Sequence, residues 1–394
     1  MSLQVSARVQ RVKPSPTMAV TQMAAELKAS GQDVIGLGAG EPDFDTPTHI
    51  CEAAIAAIRA GDTRYTAVDG TVTLKDAIIA KFKRDNQLAY GRDEILVSSG
   101  AKQTCFNLAA AVLNPGDEAV IPAPYWVSYP DMVLLADGEP VIIPTGPETG
   151  YKLTPQQLEA GLTARTRLMF LNSPSNPTGA AYTRAELQAL GEVLAAYPDV
   201  VIGTDDMYEH IYWAEEPFCS LATACPGLHE RTVTINGVSK AYAMTGWRIG
   251  YCGGPKPIIA AMRKIQSQST SNPTSISQAA AVAALEGDQA CVAEMVEAFK
   301  ARHDYIVAAL NRIPGMRCLE GAGTFYAFPD CRELIEQRGF ADDTALAECL
   351  LKEAGVAVVP GSAFGAPGHI RLSFACSLET LEDAAGRMHR VLAH

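Results

Sequence analysis

The residues able to do chemistry fall into a few short clusters: Ser99-Gly100-Ala101-Lys102, Tyr125-Trp126, Asn172 through Asn176-Pro177-Thr178-Gly179, Asp205 with Tyr208, and Ser239-Lys240 followed by Arg248. Together they offer an aromatic ring, a carboxylate, a phenol, an amide, an amine, an arginine and a helix N-terminus. Those groups match the parts of a phosphorylated pyridine aldehyde, which needs a partner for its aldehyde, ring nitrogen, ring oxygen, ring face and phosphate. A metal has no comparable support. The seven histidines are scattered without an HxxxH or HExxH spacing, and none of the ten cysteines forms a CxxC pair.

Such clusters need elements to bring them together, and hydrophobic patterning supplies candidates. From about Ile50 to Glu286, short β-rich apolar runs alternate with segments of helical period, the pattern of a parallel sheet with crossover helices. The predicted strands are Ile95 to Ser98, Glu118 to Pro122, Pro140 to Pro144, Arg167 to Asn172, Val200 to Thr204, Thr232 to Asn236 and Ile249 to Cys252; helices such as Lys102 to Leu113 and Thr183 to Ala196 fall between them. Each chemical cluster lies at or near the end of a strand, where ligands collect in open α/β sheets. Farther on, a long helix from about Ala290 to Leu310 precedes short strands near Met316 to Leu319, Thr324 to Phe328, Ala357 to Val359 and Ile370 to Phe374, then a final helix. The expectation is an α/β protein: a large domain over 46–289 with a mostly parallel seven-stranded sheet flanked by helices, and a smaller α+β domain from 1–45 and 290–394.

Bulk properties agree. A chain of 394 residues, 48% hydrophobic and 19% charged, suits two globular domains. Its formal net charge of −12 opposes general affinity for nucleic acid or an anionic membrane. No run of 18 apolar residues is present, and the basic segment Met1 to Thr17 lacks a following apolar stretch, so neither a spanning helix nor a secretory signal is expected. Cysteines within apolar runs, such as Cys105, Cys252 and Cys349, read as buried free thiols of a reduced compartment, and the cytoplasm is the expected location.

Several longer motifs widen the picture: Ala39-Gly40-Glu41-Pro42-Asp43-Phe44, Ser173-Pro174-Ser175-Asn176-Pro177-Thr178-Gly179, Ser239-Lys240 with Thr245-Gly246-Trp247-Arg248-Ile249-Gly250, and Arg371-Leu372-Ser373. In their order and spacing they resemble the fold type I pyridoxal-phosphate (PLP) enzymes, and within them the class I aminotransferases of the aspartate aminotransferase type. The likeness runs over nearly the whole chain.

That resemblance implies roles. Lys240 would bond the cofactor aldehyde and move a proton between substrate Cα and cofactor C4′; Asp205 would pair with the protonated ring nitrogen, and Tyr208 with Asn176 would hydrogen-bond the ring oxygen. Arg248 and the amides of Gly100, Ala101 and Lys102 would hold phosphate, with Trp126 stacked on the ring. Tyr65 would cross to the phosphate of a neighbouring subunit, implying a homodimer with shared active sites. Arg371 would clamp the substrate α-carboxylate, with the Gly40 backbone approaching it. An N-cap role for Asp205 or Asp206, and a core role for Trp126, are the competing readings from the residues alone.

The sequence departs from the better-known branch twice. Gly237 stands where a phosphate-binding serine is usual, and no arginine lies in Ser267 to Pro273 to read the distal carboxylate. Lys102 and Lys13, the latter in Val12-Lys13-Pro14-Ser15, match lysines of a second branch that acts on aspartate and, in some members, prephenate. A transaminase exchanging an amino group between aspartate and 2-oxoglutarate is therefore expected, with prephenate or an aromatic amino acid, or a carbon-sulfur β-lyase reaction, as alternatives. The run Gly36-Leu37-Gly38-Ala39-Gly40 has GxGxG spacing with Pro42 following, which disfavours a dinucleotide fingerprint. A PLP-sensing regulator would need a basic helix-turn-helix domain ahead of a likeness that already begins near Lys13.

Overall fold

The computed structural model describes residues 4–14 and 16–393, so Ser15 of the Lys13 motif lies outside the described residues. Twelve strands occur among them: β1 Ile35–Gly36, β2 Ile95–Ser98, β3 Glu118–Ala123, β4 Glu139–Pro144, β5 Thr166–Asn172, β6 Val201–Asp205, β7 Thr232–Gly237, β8 Gly250–Gly253, β9 Tyr326–Ala327, β10 Val356–Ala357, β11 Val359–Pro360 and β12 Ile370–Ser373. Seven form one sheet in the order β2-β8-β7-β6-β5-β3-β4. This is the α/β fold type I architecture, mostly parallel, and its strands read as continuous apolar runs because helices cover both faces.

Strand β8 is the exception that matters. It runs antiparallel to both neighbours, with Gly250 paired to Ser98 on one side and Gly237 on the other. The start of β8 therefore lies at the same sheet edge as the ends of β2 and β7, and Arg248, two residues before it, reaches that edge. Along the parallel strands the register aligns Asn172 with Asp205, the last residues of β5 and β6. The helix Ala101–Val112 begins directly after Gly100 and packs Cys105 and Leu108 into the core beneath.

The smaller sheets hold the rest of the chain. Strand β1 pairs with β10, joining the first fifty residues to the last fifty, while β11, β12 and β9 form a three-stranded antiparallel sheet. The long helix Ala290–Leu310 precedes them and Leu378–Leu392 follows.

Three predicted strands are shorter or different. Met316 to Leu319 forms no ladder beyond one bridge at Arg317, because the backbone of Cys318 is bonded on both sides by the Asn311 side chain. Thr324 adopts a left-handed φ of 70°, which ends pairing before Tyr326. Ala357 to Val359 divides between β10 and β11, which belong to different sheets. Tyr208 lies in a turn closed by hydrogen bonds from Glu209 N to Asp206 O and Ile211 N to Tyr208 O. With no helix starting there, neither Asp205 nor Asp206 is an N-cap.

Candidate active site

A cavity of about 700 Å³ opens at the sheet edge just described, lined by Gly38, Gly40, Lys102, Trp126, Asn176, Asp205, Tyr208, Ser239, Lys240, Arg248 and Arg371 among others. Residues separated by more than 300 positions thus share one wall.

Lys240 follows β7, and its amine donates to the Gly40 carbonyl at 2.5 Å. Part of the side chain meets the cavity while the amine lies deep. Burial, reinforced by the Arg371 and Arg248 cations against the opposing pull of Glu41, lowers its pKa to about 8.

Asp205 is buried at the end of β6. Its Oδ2 accepts from the Tyr129 hydroxyl at 2.6 Å and its Oδ1 from the Met207 amide at 3.3 Å. Burial pushes its pKa up, opposed by these two hydrogen bonds and by Lys240. Tyr208 shares a 2.9 Å hydroxyl contact with Tyr326, and burial raises its pKa so that the phenol keeps its proton.

Arg371 enters from β12. It donates from Nη1 to Asn176 Oδ1 at 3.0 Å and from Nη2 to the Gly38 carbonyl at 2.6 Å, while Nε has no protein partner. The guanidinium lies 4.4 Å from the Tyr326 ring centroid and 4.9 Å from that of Phe364. Asn176 is itself held by its backbone N–H donating to Asn172 Oδ1, and the Asn172 side chain donates to the Asp205 backbone carbonyl.

Two further cations line the cavity. Arg248, with a left-handed φ of 58°, donates to the Thr245 carbonyl, and its guanidinium lies against Gly100. A Cβ at Gly100 would collide with that guanidinium, and Gly100 has a φ of 90° that favours glycine. Lys102 Nζ sits 5.0 Å from the Trp126 ring centroid, and burial with Arg248 nearby lowers its pKa.

Two expected residues are not brought here within one chain. Lys13 is exposed and absent from the lining, and Tyr65 is 92% exposed. Other residues went unread in the sequence: Tyr326, and Thr17, Met18 and Thr21 from the helix Pro16–Ala29, which form part of the lining, and Tyr129, which lies behind it against Asp205. Tyr129 stands one helical turn after Trp126, a spacing that could have flagged it; nothing local marks Tyr326. A Cβ at Gly237 would lie 2.9 Å from Met207 Cε and 3.0 Å from the Ile249 carbonyl, so a serine there would crowd both. Elsewhere Asp85, Glu209 and His210 come together, but Lys81, Arg84, Asn86 and Asn236 already engage their carboxylates.

Residues 32–388 match the family described as aminotransferase class I and II. The chain belongs to this aminotransferase family. The aminotransferase is 58% identical over 397 residues to the aspartate/prephenate aminotransferase of Nitrosomonas europaea, covering 99% of this chain and all of that one. It is 49% identical to the aspartate aminotransferase of Geobacillus stearothermophilus, with 99% of each covered. Among solved structures, the aspartate aminotransferase from Rhizobium meliloti superposes with a TM-score of 0.95 at 48% identity, and that from Thermus thermophilus with maleate at 0.93 and 43%; each comparison covers 99% of this chain, and 99% and 100% of the other.

The enzyme is an aminotransferase dependent on PLP, and its residues fit that group. Asp205 is a buried carboxylate whose hydrogen-bond partners are a phenol and an amide, leaving a cation wanting. The Gly100 backbone and the Arg248 guanidinium adjoin without an intervening side chain, as phosphate requires. The amine of lowered pKa, the half-buried Trp126 ring and the cavity between them accommodate the remainder.

Proposed function

We propose that this enzyme transfers the amino group of L-aspartate to 2-oxoglutarate, using one site for both half-reactions, with prephenate as the acceptor to test next. The observation that carries the reading is that two cations besides the phosphate-side Arg248, Arg371 and Lys102, line the same cavity as Lys240. The names of the relatives support aspartate and prephenate among these substrates.

The bound cofactor supplies an aldehyde that takes the amine and a ring that delocalises the electrons left at Cα. The chain's residues do the rest. Lys240 would hold the aldehyde carbon and, as a free amine, would move a proton between Cα and C4′; a pKa of about 8 in the open site leaves that amine a useful neutral fraction. Asp205 keeps the ring nitrogen protonated. Tyr208 donates to the ring oxygen, as does Asn176, whose Oδ1 is already taken by Arg371 and whose amide nitrogen remains. Trp126 covers the ring face and excludes water. Arg248 and the amides of Gly100, Ala101 and Lys102 take the phosphate, and Arg371 clamps the α-carboxylate beside the Gly40 backbone.

At the distal end, we assign Lys102 to the second carboxylate in place of an arginine, as in the lysine branch. Its seat over the Trp126 ring also suits an aromatic side chain, which favours aromatic amino acids as the second reading, while prephenate, a ring-bearing dicarboxylate, would use the Lys102 charge itself. Lys13 and Tyr65 are exposed and outside the lining of their own chain's cavity, and in this reading act on that of a second copy. Exposed Tyr65, Ile58 and Val72 support such a homodimer. We divide the chain into 46–289 and 1–45 with 290–394, a grouping supported by the β1–β10 pair. Among the described residues no helix is long and apolar enough to cross a membrane, and all ten cysteines are free thiols, consistent with a cytoplasmic enzyme.

The test is a half-reaction screen, in which PLP-loaded protein is mixed with single amino acids and conversion of the cofactor to its amine form is followed by absorbance. Rapid conversion by aspartate and glutamate is expected. Reaction only with neutral or sulfur amino acids would overturn the assignment of Lys102 and Lys13 while leaving the cofactor in place.

A further inference from the structure

We propose that Tyr129 is a positioning residue for the reaction: its hydroxyl holds the Asp205 carboxylate ionised and aimed at the ring nitrogen from the side facing away from the cofactor. The inference rests on the reading that Asp205 faces that nitrogen, and it adds a partner that the sequence motifs did not contain.

The geometry is specific. Tyr129 is 2% exposed, and its ring is fixed by stacking on Phe170, with centroids 4.9 Å apart and planes within 8°, and by an edge contact to Trp126 at 5.3 Å and 88°. From this locked ring the hydroxyl reaches Asp205 Oδ2 at 2.6 Å. The other oxygen, Oδ1, has only the longer 3.3 Å bond from Met207 N and is free to serve the cavity. One aromatic pair thus ties the stacking tryptophan to the carboxylate, so the two groups meant to grip the ring keep a constant spacing.

The direction of the proton follows from the surroundings. The Tyr129 hydroxyl is fully enclosed, and burial together with the adjacent Asp205 charge holds its pKa well above that of an ordinary phenol. It is therefore always the donor, and Asp205 the acceptor. The other titratable groups near Asp205 are Lys240, which favours its charge, and Cys105, Tyr208 and Asp206, which do not. Burial favours the neutral form of Asp205 and the Tyr129 bond opposes it; a neutral acid would leave the ring nitrogen without its counter-ion. A phenylalanine at 129 would preserve both ring contacts and delete only this donor.

The experiment uses the PLP-loaded enzyme and its Tyr129→Phe and Asp205→Asn variants, with 15N in the cofactor ring. The nitrogen chemical shift reports where the proton lies, and cofactor affinity is measured separately by dialysis. Tyr129→Phe should move the shift toward the unprotonated ring, displace its pH profile, and weaken cofactor binding about tenfold, the scale of one hydrogen bond to a charged group. Replacing Tyr129 with 3-fluorotyrosine, a stronger donor of nearly the same shape, should move the pH profile the opposite way, which a purely structural role would not do. If Asp205→Asn shifts the nitrogen signal but both Tyr129 substitutions leave it and the affinity unchanged, the role of Tyr129 is overturned. If Asp205→Asn itself leaves the signal unchanged, the underlying placement of Asp205 falls instead.

Discussion

Asn176 and Arg371, 195 positions apart, are joined by a 3.0 Å hydrogen bond from Nη1 to Oδ1, and the same guanidinium reaches the Gly38 carbonyl at 2.6 Å. The side chain assigned to the substrate carboxylate is thereby held by the side chain assigned to the ring oxygen. A planar fork can make both bonds at once and still carry further N–H donors, as a single ammonium cannot; its Nε is buried without a protein partner.

Arg371→Lys keeps the charge and loses the fork. The catalytic efficiency kcat/KM should fall about a hundredfold for every amino acid tested, since charged hydrogen bonds contribute about 1.5–3 kcal/mol each. Steady-state kinetics with aspartate and with an aromatic donor check it; a loss confined to aspartate would move Arg371 to the distal end.

Lys102→Ala should discriminate. The KM for dicarboxylates should rise about tenfold or more, with much less change for aromatic substrates, because only the former lose a charged partner. Equal effects on both classes would assign Lys102 to the cofactor alone.

The rate at which cofactor-free protein captures PLP should rise with pH through about 8, where Lys240 becomes neutral, and then level off. An amine of ordinary pKa would place that rise above pH 10. Stopped-flow absorbance between pH 6 and 10 reads it directly, and Lys240→Ala should abolish the visible band while leaving the thermal transition largely in place.

Asp205→Ala should lose far more activity than Asp206→Ala. The Asp206 carboxyl is buried, with Oδ2 lacking a hydrogen-bond partner, and burial beside Glu209 raises its pKa well above the usual range. Its folded-state pKa therefore lies above its unfolded value, so its contribution to stability is present at low pH and lost as pH rises. Asp206→Asn should therefore gain stability over the parent as pH increases from 5 to 8, seen as a growing difference in Tm.

Lys81→Ala leaves Glu209 buried without its ion pair, an effect of about 3–5 kcal/mol on unfolding in denaturant. The Glu209 pKa is lowered, with Lys81 and His210 outweighing its burial. Its stabilisation exists above pH 4.5 and disappears as pH falls, so the variant and parent should converge in stability under acid conditions.

By itself, the sequence determined what is local. Alternating apolar runs set most strands of the central sheet within a residue or so of their ends, and chemical residues at those ends marked the sheet edge where the cavity lies. Short strands near the C-terminal end were less legible, because Cys318 is bonded by a side chain and Thr324 turns left-handed, neither of which periodicity records. The tertiary structure decided what depends on strand order and direction. Only the reversed β8 brings Arg248 beside Gly100, only the approach of β12 gives Asn176 its arginine, and only packing aims the Tyr129 hydroxyl at Asp205. It also turned Lys13 and Tyr65 outward. Residue spacing encodes which face a side chain occupies along its own element; which distant group meets it is set by how the elements pack.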